Sequence, residues 1–310
     1  MKGLTAMPVK RFSIYMGVSV CYIDSPLLEK TADRSTLRIH LKNLKRRYFM
    51  RWEDLTAEEF AEAVRKEQVC VIPMGVIEKH GSHAPLGTDM IIGRTIAEMA
   101  AEIEPFVIFP YYFFGQINEA KHVPGTIAVS PEMQMKLLNE IVKEINRNGF
   151  KKIVLLESHG GNINFLNYFL QAQLAEKRDY IVYKLGVFDI LGACNETFPS
   201  IDQDGHAAKT ETELVMAYHS ELVHKEKINP KGAVNLHRLE HMSGIRTPVS
   251  WYCDHPTHQE GDPSTADAEI GRKKFKIAAK YVAEQIKKIK QDNEAPRILK
   301  EYYDSWGSWL

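Results

Sequence analysis

Residues 69–89, VCVIPMGVIEKHGSHAPLGTD, pass directly from apolar side chains into a loop crowded with carboxylates and imidazoles. Val69, Cys70, Val71 and Ile72 read as a buried strand, and Pro73 and Gly75 mark where it turns irregular. Glu78, His80, His83 and Asp89 follow, grouped around Gly81, Pro85 and Gly87. A glycine-punctuated loop at the C-terminal end of a strand is where α/β proteins place their chemistry. Glu78 and His80 are two residues apart, so on extended backbone their side chains leave the same face and can converge. Taken alone, the loop also fits a solvated polar connection, the weaker of the two readings. Two later stretches argue against that.

The chain alternates helix and strand signals. Thr56 and Glu59 form a capping box that opens a helix to about Lys66. Ile91–Ile103 has helical spacing, and a helix starting just past Asp89 would offer free N–H groups to a carboxylate or anion. Phe106–Pro110 reads as a second strand, followed by an aromatic-rich loop, Tyr111–Val129, that contains Pro124-Gly125-Thr126. Ser130 and Pro131 open a helix to about Asn148, closed by Gly149. Lys151–Glu157 is the next buried strand, and at its end lies the second key stretch, Ser158-His159-Gly160-Gly161-Asn162. Its glycines let the backbone pass close to whatever His159 touches, and Asn162 is suited to cap a helix from Ile163 to about Lys177. Tyr180–Leu185 is a further strand. The alternation predicts an α/β fold, three-layer α/β/α with a mostly parallel sheet.

The third stretch, residues 204–213, contains His206 and leads into a helix from Leu214 to Leu222. It sets Glu211 at the helix start, where a carboxylate gains from the dipole. His255 and His258 form an H-x-x-H pair, but Pro256 between them rules out one regular helix face, so they are expected on a loop lining or closing the pocket. Gly261–Thr265 is expected to cap a long helix to about Gln291.

At 310 residues the chain can bury one large α/β core with an appendage. Its 40 acidic and 40 basic residues balance, so no overall field favours nucleic acid or an anionic membrane, and a small-molecule substrate is expected. Cys21, Cys70, Cys194 and Cys253 form no C-x-x-C pair. That pattern suits free thiols in a reducing compartment, and a cytoplasmic location is expected. Residues 1–49 read as an extension of unassigned role, 50–295 as the catalytic domain and 296–310 as an aromatic tail. Within the extension, Phe12–Ile23 resembles a signal-peptide core but is too short to span a bilayer and lacks a small-residue cleavage site. The basic run His40–Arg51 reads as a solvated helix face or an arm docking on a neighbouring subunit, ahead of a nucleic-acid patch.

Glu78, His80, Asp89, His159 and Glu211 form a set of three carboxylates and two imidazoles without cysteine. Such a set suits zinc, manganese or iron(II) in an open site. It is too large for one tetrahedral ion and is the right complement for two divalent ions sharing a carboxylate and a water. Ser82 and Ser158 lack a G-x-S-x-G elbow, so serine catalysis is not expected.

These residues carry a resemblance to the creatininase (creatinine amidohydrolase) family over about residues 50 to 290. The family motif P-x-G-x-x-E-Q-H-G-x-H-L-P-x-x-T-D is matched by Pro73–Asp89, with Lys79 and Ala84 as departures. N-G-H-G-G-N is matched by Glu157–Asn162, with Glu157 and Ser158 replacing Asn and Gly. H-A-G-x-x-E-T-S is matched from His206, with Ala208 for Gly and Glu213 for Ser, and Gly261-Asp262-Pro263 matches a further signature. The resemblance implies a creatininase-like fold and a metal-activated bridging water attacking a carbonyl of a small amide or formamide. It implies Glu78 and His159 on one ion, His80 on the other, Asp89 bridging, and His206 as the proton-transferring histidine. The second ion's carboxylate sits in creatininase where this chain has Gly161, and Glu211 is the expected replacement, as ligand or proton-transfer group. His83 is expected to support the ligands by hydrogen bonding, with Glu119 and Asn162 beside the substrate. Ala120, where many relatives carry histidine, and the charges of Lys79, Lys121 and His122 put creatinine itself in doubt. Ring-opening C–C hydrolysis of a cyclic diketone is the alternative, and a non-catalytic metal-dependent binding protein the alternative of another class. A homo-oligomer, a hexamer or other even-numbered assembly, is implied as well.

Overall fold

A computed structural model describes residues 50–193 and 204–308, together with two short strands, β1 (Tyr15–Met16) and β2 (Ser19–Val20). The chain divides into two compact units, Met1–Arg46 and Arg47–Leu310. In the first, β1 and β2 pair antiparallel. The remainder of the Phe12–Ile23 run, the basic stretch up to residue 49, Cys21 and Cys194 lie outside the described residues. Among the described residues no helix is long and apolar enough to cross a membrane.

The larger unit is built on five parallel strands, β3 (Met50–Arg51), β4 (Val69–Met74), β5 (Val107–Ile108), β6 (Lys152–Glu157) and β7 (Ile181–Gly186), in the order β3-β5-β4-β6-β7. Alternation along β4 divides the core into two halves. Val69 and Val71 face helices α2 (Thr88–Ile103), α6 (Lys209–His219) and α8 (Ala268–Gln291) through Ile96, Leu214 and Phe275. Cys70, Ile72 and Met74 face α1 (Ala57–Glu67), α3 (Pro131–Arg147) and α4 (Asn162–Ala172) through Ala63, Leu138 and Phe169. The expected three-layer α/β/α architecture is therefore what the sequence forms.

Pro73 stays inside β4 despite lacking an N–H. Val71 O and Gly75 N both bond on the β5 side, so Pro73, midway between them, faces the same way, where β5 has already ended. Strand β5 itself is confined by Pro105 and Pro110 to two residues, shorter than the expected Phe106–Pro110.

The capping signals explain most helix starts. Thr56 and Glu59 exchange both capping-box bonds, and Ser130 caps α3 ahead of Pro131. Several boundaries differ from expectation. Helix α6 spans Lys209–His219 instead of Leu214–Leu222, so Glu211 lies in its first turn. Helix α2 begins at Thr88, so Asp89 lies within its first turn instead of before it. Asn162 is the first residue of α4 and caps nothing, because its side chain accepts from Gln116 N–H instead. That helix ends at Ala172 in a tighter turn, Gln173–Ala175, where Arg178 takes the Gln173 carbonyl. Asp267, and not Gly261–Thr265, caps α8, since Asp262 closes its own turn onto Ser264. The remaining α-helices are the short α5 (Val187–Ala193) and α7 (Ser250–Asp254) and the C-terminal α9 (Glu294–Asp304), which buries Tyr303.

The connections leaving β4 and β6 diverge, to β5 on one side and to β7 on the other. That reversal opens a crevice beyond the carboxyl ends of these two strands, the place where open α/β sheets bind ligands. The loops carrying Glu78, His80 and His159 leave the sheet there.

Candidate metal centre

Asp89 sits at the middle of the cluster. Its Oδ1 is 3.0 Å from His80 Nε2 and its Oδ2 is 3.0 Å from His159 Nδ1. Glu78 Oε1 lies 2.8 Å from the same His159 nitrogen, and Glu211 Oε2 lies 3.7 Å from His80 Nε2. The five expected ligands thus converge in two adjacent groups. Glu78, Asp89 and His159 surround one point; His80 and Glu211, with His206 close by, surround another.

The backbone that brings them together is tightly stitched. Ser158 Oγ is 2.6 Å from Met74 O and 2.9 Å from Asp89 O, tying the ends of β4, β6 and α2 to one another. A Cβ on Gly75 would stand 2.8–2.9 Å from the Asp89–Met90 backbone, so only glycine lets β4 leave the sheet this close to the start of α2. Ala207 in left-handed backbone (φ 59°) turns the chain between His206 and α6, and its N–H donates to Glu211 Oε2 at 2.6 Å.

The outward nitrogens of the two ligand imidazoles face carbonyls. His159 Nε2 donates to Gln116 O at 3.0 Å, leaving Nδ1 toward the carboxylates. His80 Nδ1 faces Glu78 O at 3.3 Å, leaving Nε2 toward Asp89 and Glu211. Carbonyl partners of this kind fix the tautomer and aim the other nitrogen's lone pair, as metal-ligating histidines require. Glu78 Oε1 and Asp89 Oδ2 are buried and accept no well-aligned hydrogen bond, although both crowd His159 Nδ1. A cation relieves that concentration of acceptor atoms, so the donor set fits a divalent ion.

The electrostatics reflect the same crowding. Burial disfavours charge on Glu78, His80, His159, His206 and Glu211, and the partners then decide. His206, His159 and His258 outweigh burial at Glu78 and hold its carboxyl well below the usual range. At His80, Asp89 and Glu211 outweigh burial and raise the imidazole to about 10; at His159, Glu78 and Asp89 raise it well above the ordinary value. Glu211 is pushed up to about 8 by burial, with Asp89 and Glu78 adding repulsion. His206 is pushed down to about 4 by burial, assisted by His80 and His258.

The structure places the remaining predicted residues just outside the cluster. Gln116 gathers two of them: its N–H donates to Asn162 Oδ1 and its side-chain amide donates to Glu119, while its carbonyl holds His159. His83 Nε2 bonds Thr212 Oγ1 at 2.9 Å, next to Glu211, and its hydrogen bond reaches none of the five expected ligands directly. Gln116 carries no motif that would have marked it. His258, expected only as a pocket-lining loop residue, lies 2.5 Å from Glu78 Oε2. Its segment arches over the cluster and is held by Lys79 Nζ donating to Thr257 O and by His122 Nε2 against Pro256 O. Beside it lies a polar cavity of about 430 Å³, lined by His237, Trp251, His255 and Glu260 among others.

A parallel α/β/α sheet with imidazoles and carboxylates clustered at its switch point defines a class of α/β proteins with a candidate metal site beyond the strand ends. The creatininase family profile, described as creatinine amidohydrolase, matches residues 53–286. The chain belongs to the creatininase family. It is 24% identical over 192 residues to a creatinine amidohydrolase of Pseudomonas putida, covering 56% of this chain and 74% of that one. It is 22% identical over 276 residues to a 3-dehydro-scyllo-inosose hydrolase of Thermotoga maritima (80% and 86%). It is 29% identical over 215 residues to a mycofactocin precursor peptide peptidase of Mycobacterium tuberculosis (66% and 79%). Among solved structures, a Bacteroides fragilis protein provisionally assigned as a creatinine amidohydrolase superposes with a TM-score of 0.70 at 23% identity, over 80% of this chain and 98% of that one. A mutant creatininase of Zn-Zn type and a manganese creatininase each superpose at 0.65 and 20% identity, over 77% of this chain and 98% of theirs.

Proposed function

We propose that this hydrolase binds two divalent ions, with zinc preferred over manganese and iron(II), and cleaves a small cyclic amide or formamide at its carbonyl carbon. The observation that carries this reading is Asp89, whose two oxygens face His80 on one side and His159 on the other while Glu78 and Glu211 complete the two groups. Glu78 and His159 would hold one ion and His80 and Glu211 the other, with Asp89 placed to serve both. Bound there, the ions supply Lewis acidity toward the carbonyl and an activated water near neutral pH. His206 moves the proton. With its pKa at about 4 the imidazole is neutral at pH 7, so it first accepts a proton and then delivers it to the leaving group. Its Nε2 faces Lys79 O at 2.8 Å and donates there, which leaves Nδ1 as the accepting atom.

Ring-opening C–C hydrolysis of a cyclic diketone is the second reading. It is favoured by the longer match to the inosose hydrolase, 80% of the chain against 56% for the creatinine amidohydrolase. Carbonyl attack is common to both readings, and only the leaving group differs.

Metal content per chain, measured on wild type and on Glu211→Ala, tests the ligand assignment. The expected result is two ions falling to about one, because losing a carboxylate ligand weakens binding strongly. Two ions in both would move Glu211 to proton transfer, and none in either would end the metal-dependent reading. Turnover of cyclic amides and cyclic β-diketones by the same reloaded enzyme then separates C–N from C–C cleavage. Chelation is expected to abolish turnover and leave the circular dichroism spectrum intact, since two apolar half-cores form the fold independently of the cluster.

A further inference from the structure

We propose that His258 is a positioning residue for Glu78, locked in one tautomer by Trp251; the proposal rests on the metal-dependent reading above. His258 is buried and its two ring nitrogens have different partners. Trp251 Nε1 lies 3.0 Å from His258 Nδ1, and Nε2 lies 2.5 Å from Glu78 Oε2. An indole N–H can only donate. Nδ1 is therefore the acceptor, the ring hydrogen sits on Nε2, and that hydrogen points at the carboxylate. Glu78 Oε2 is committed to His258, and Oε1 is left turned toward His159 Nδ1 at 2.8 Å.

The backbone supports the assignment. His258 has φ 55°, a left-handed conformation uncommon outside glycine, and its N–H closes a turn onto His255 O at 2.9 Å. Strain of this kind persists where the surroundings over-determine it, and here it aims a ring into the cluster from a loop 180 residues away in sequence.

Glu78, His206 and His258 also lie close enough together to hold a further ion. The tautomers argue against one. Trp251 places a hydrogen on His258 Nε2, and His206 Nε2 gives its hydrogen to Lys79 O. Both nitrogens nearest Glu78 Oε2 thus carry hydrogens where an ion would need lone pairs. Indole, imidazole and carboxylate form a chain of directed hydrogen bonds that sets the rotamer of one ligand.

Zinc affinity measured by competition with a chromophoric chelator tests this, on wild type, His258→Ala, His258→Gln and Trp251→Phe. His258→Ala is expected to weaken one ion's binding about 10–100-fold, the usual effect of losing a hydrogen-bond partner of a ligand, with the number of ions at saturation unchanged. His258→Gln is expected to restore most of that loss, because its amide nitrogen reaches the position of the imidazole Nε2 as a donor. Trp251→Phe keeps a ring but frees the tautomer, and is expected to weaken binding in the same direction by less than His258→Ala. Wild-type affinity in His258→Ala overturns the proposal. So does loss of one whole ion that Gln does not restore, the behaviour of a ligand. If His258→Ala fails to fold, Trp251→Phe decides, and wild-type affinity there overturns the clamp. A wild-type protein that binds no zinc sinks the metal-dependent reading instead, so the two failures are distinguishable.

Discussion

At the scale of single residues, the cluster holds protons that an ion must displace. His80 at about 10, His159 well above its ordinary value and Glu211 at about 8 are all protonated at pH 7 in chelated protein, whereas Glu78, held low, is not. Ion binding is therefore expected to release protons, and Glu211→Gln to release fewer than wild type, as measured with an indicator dye in weak buffer. The sign for stability follows. Groups whose folded pKa is raised bind more protons folded than unfolded, so their contribution is lost as pH rises through the folded value. Tm of chelated protein should fall between about pH 7 and 10 through Glu211 and His80, and zinc should flatten that fall; a Tm independent of pH in chelated protein would contradict the coupling. That Glu78, His80, Asp89, His159 and Glu211 gather in one place was legible in the sequence because their residue types sit at strand ends and at a helix start. His258 was not, since its role depends on a left-handed turn and on an indole seven residues before it.

At the scale of elements, the site depends on how closely β4, β6 and α2 meet. Gly75→Ala would press a methyl group against the Asp89–Met90 backbone, and α2 would have to shift and carry Asp89 with it. The expected cost is about 1–3 kcal/mol from overpacking, read by denaturant unfolding, with weakened binding of both ions because Asp89 faces both groups. Unchanged ion binding would show that Asp89 does not depend on this contact. The order of helices and strands was readable because apolar runs and caps such as Thr56 and Ser130 act locally. The failures came where a side chain found a distant partner. Asn162 looks like a cap in sequence but is taken by Gln116, and α8 waits for Asp267 because Asp262 is spent on Ser264.

At the scale of the whole molecule, the cluster belongs entirely to the unit Arg47–Leu310, and the family match begins later still, at residue 53. Every proposed ligand, the Gln116 support and the Trp251–His258 pair lie within that unit. A chain beginning at Arg47 is therefore expected to bind the same number of ions as the full chain. Its Tm should change by less than the about 2–4 °C that 1 kcal/mol produces in a domain of this size. Metal analysis and thermal unfolding on the two chains side by side check this. Loss of an ion on truncation would contradict the containment of the cluster in the larger unit. An unchanged ion count with fewer chains per particle in light scattering would give the first 46 residues the assembly role proposed for an arm, separate from the chemistry. The experiment works because assembly and chemistry are read by different instruments, so one can be lost while the other is retained.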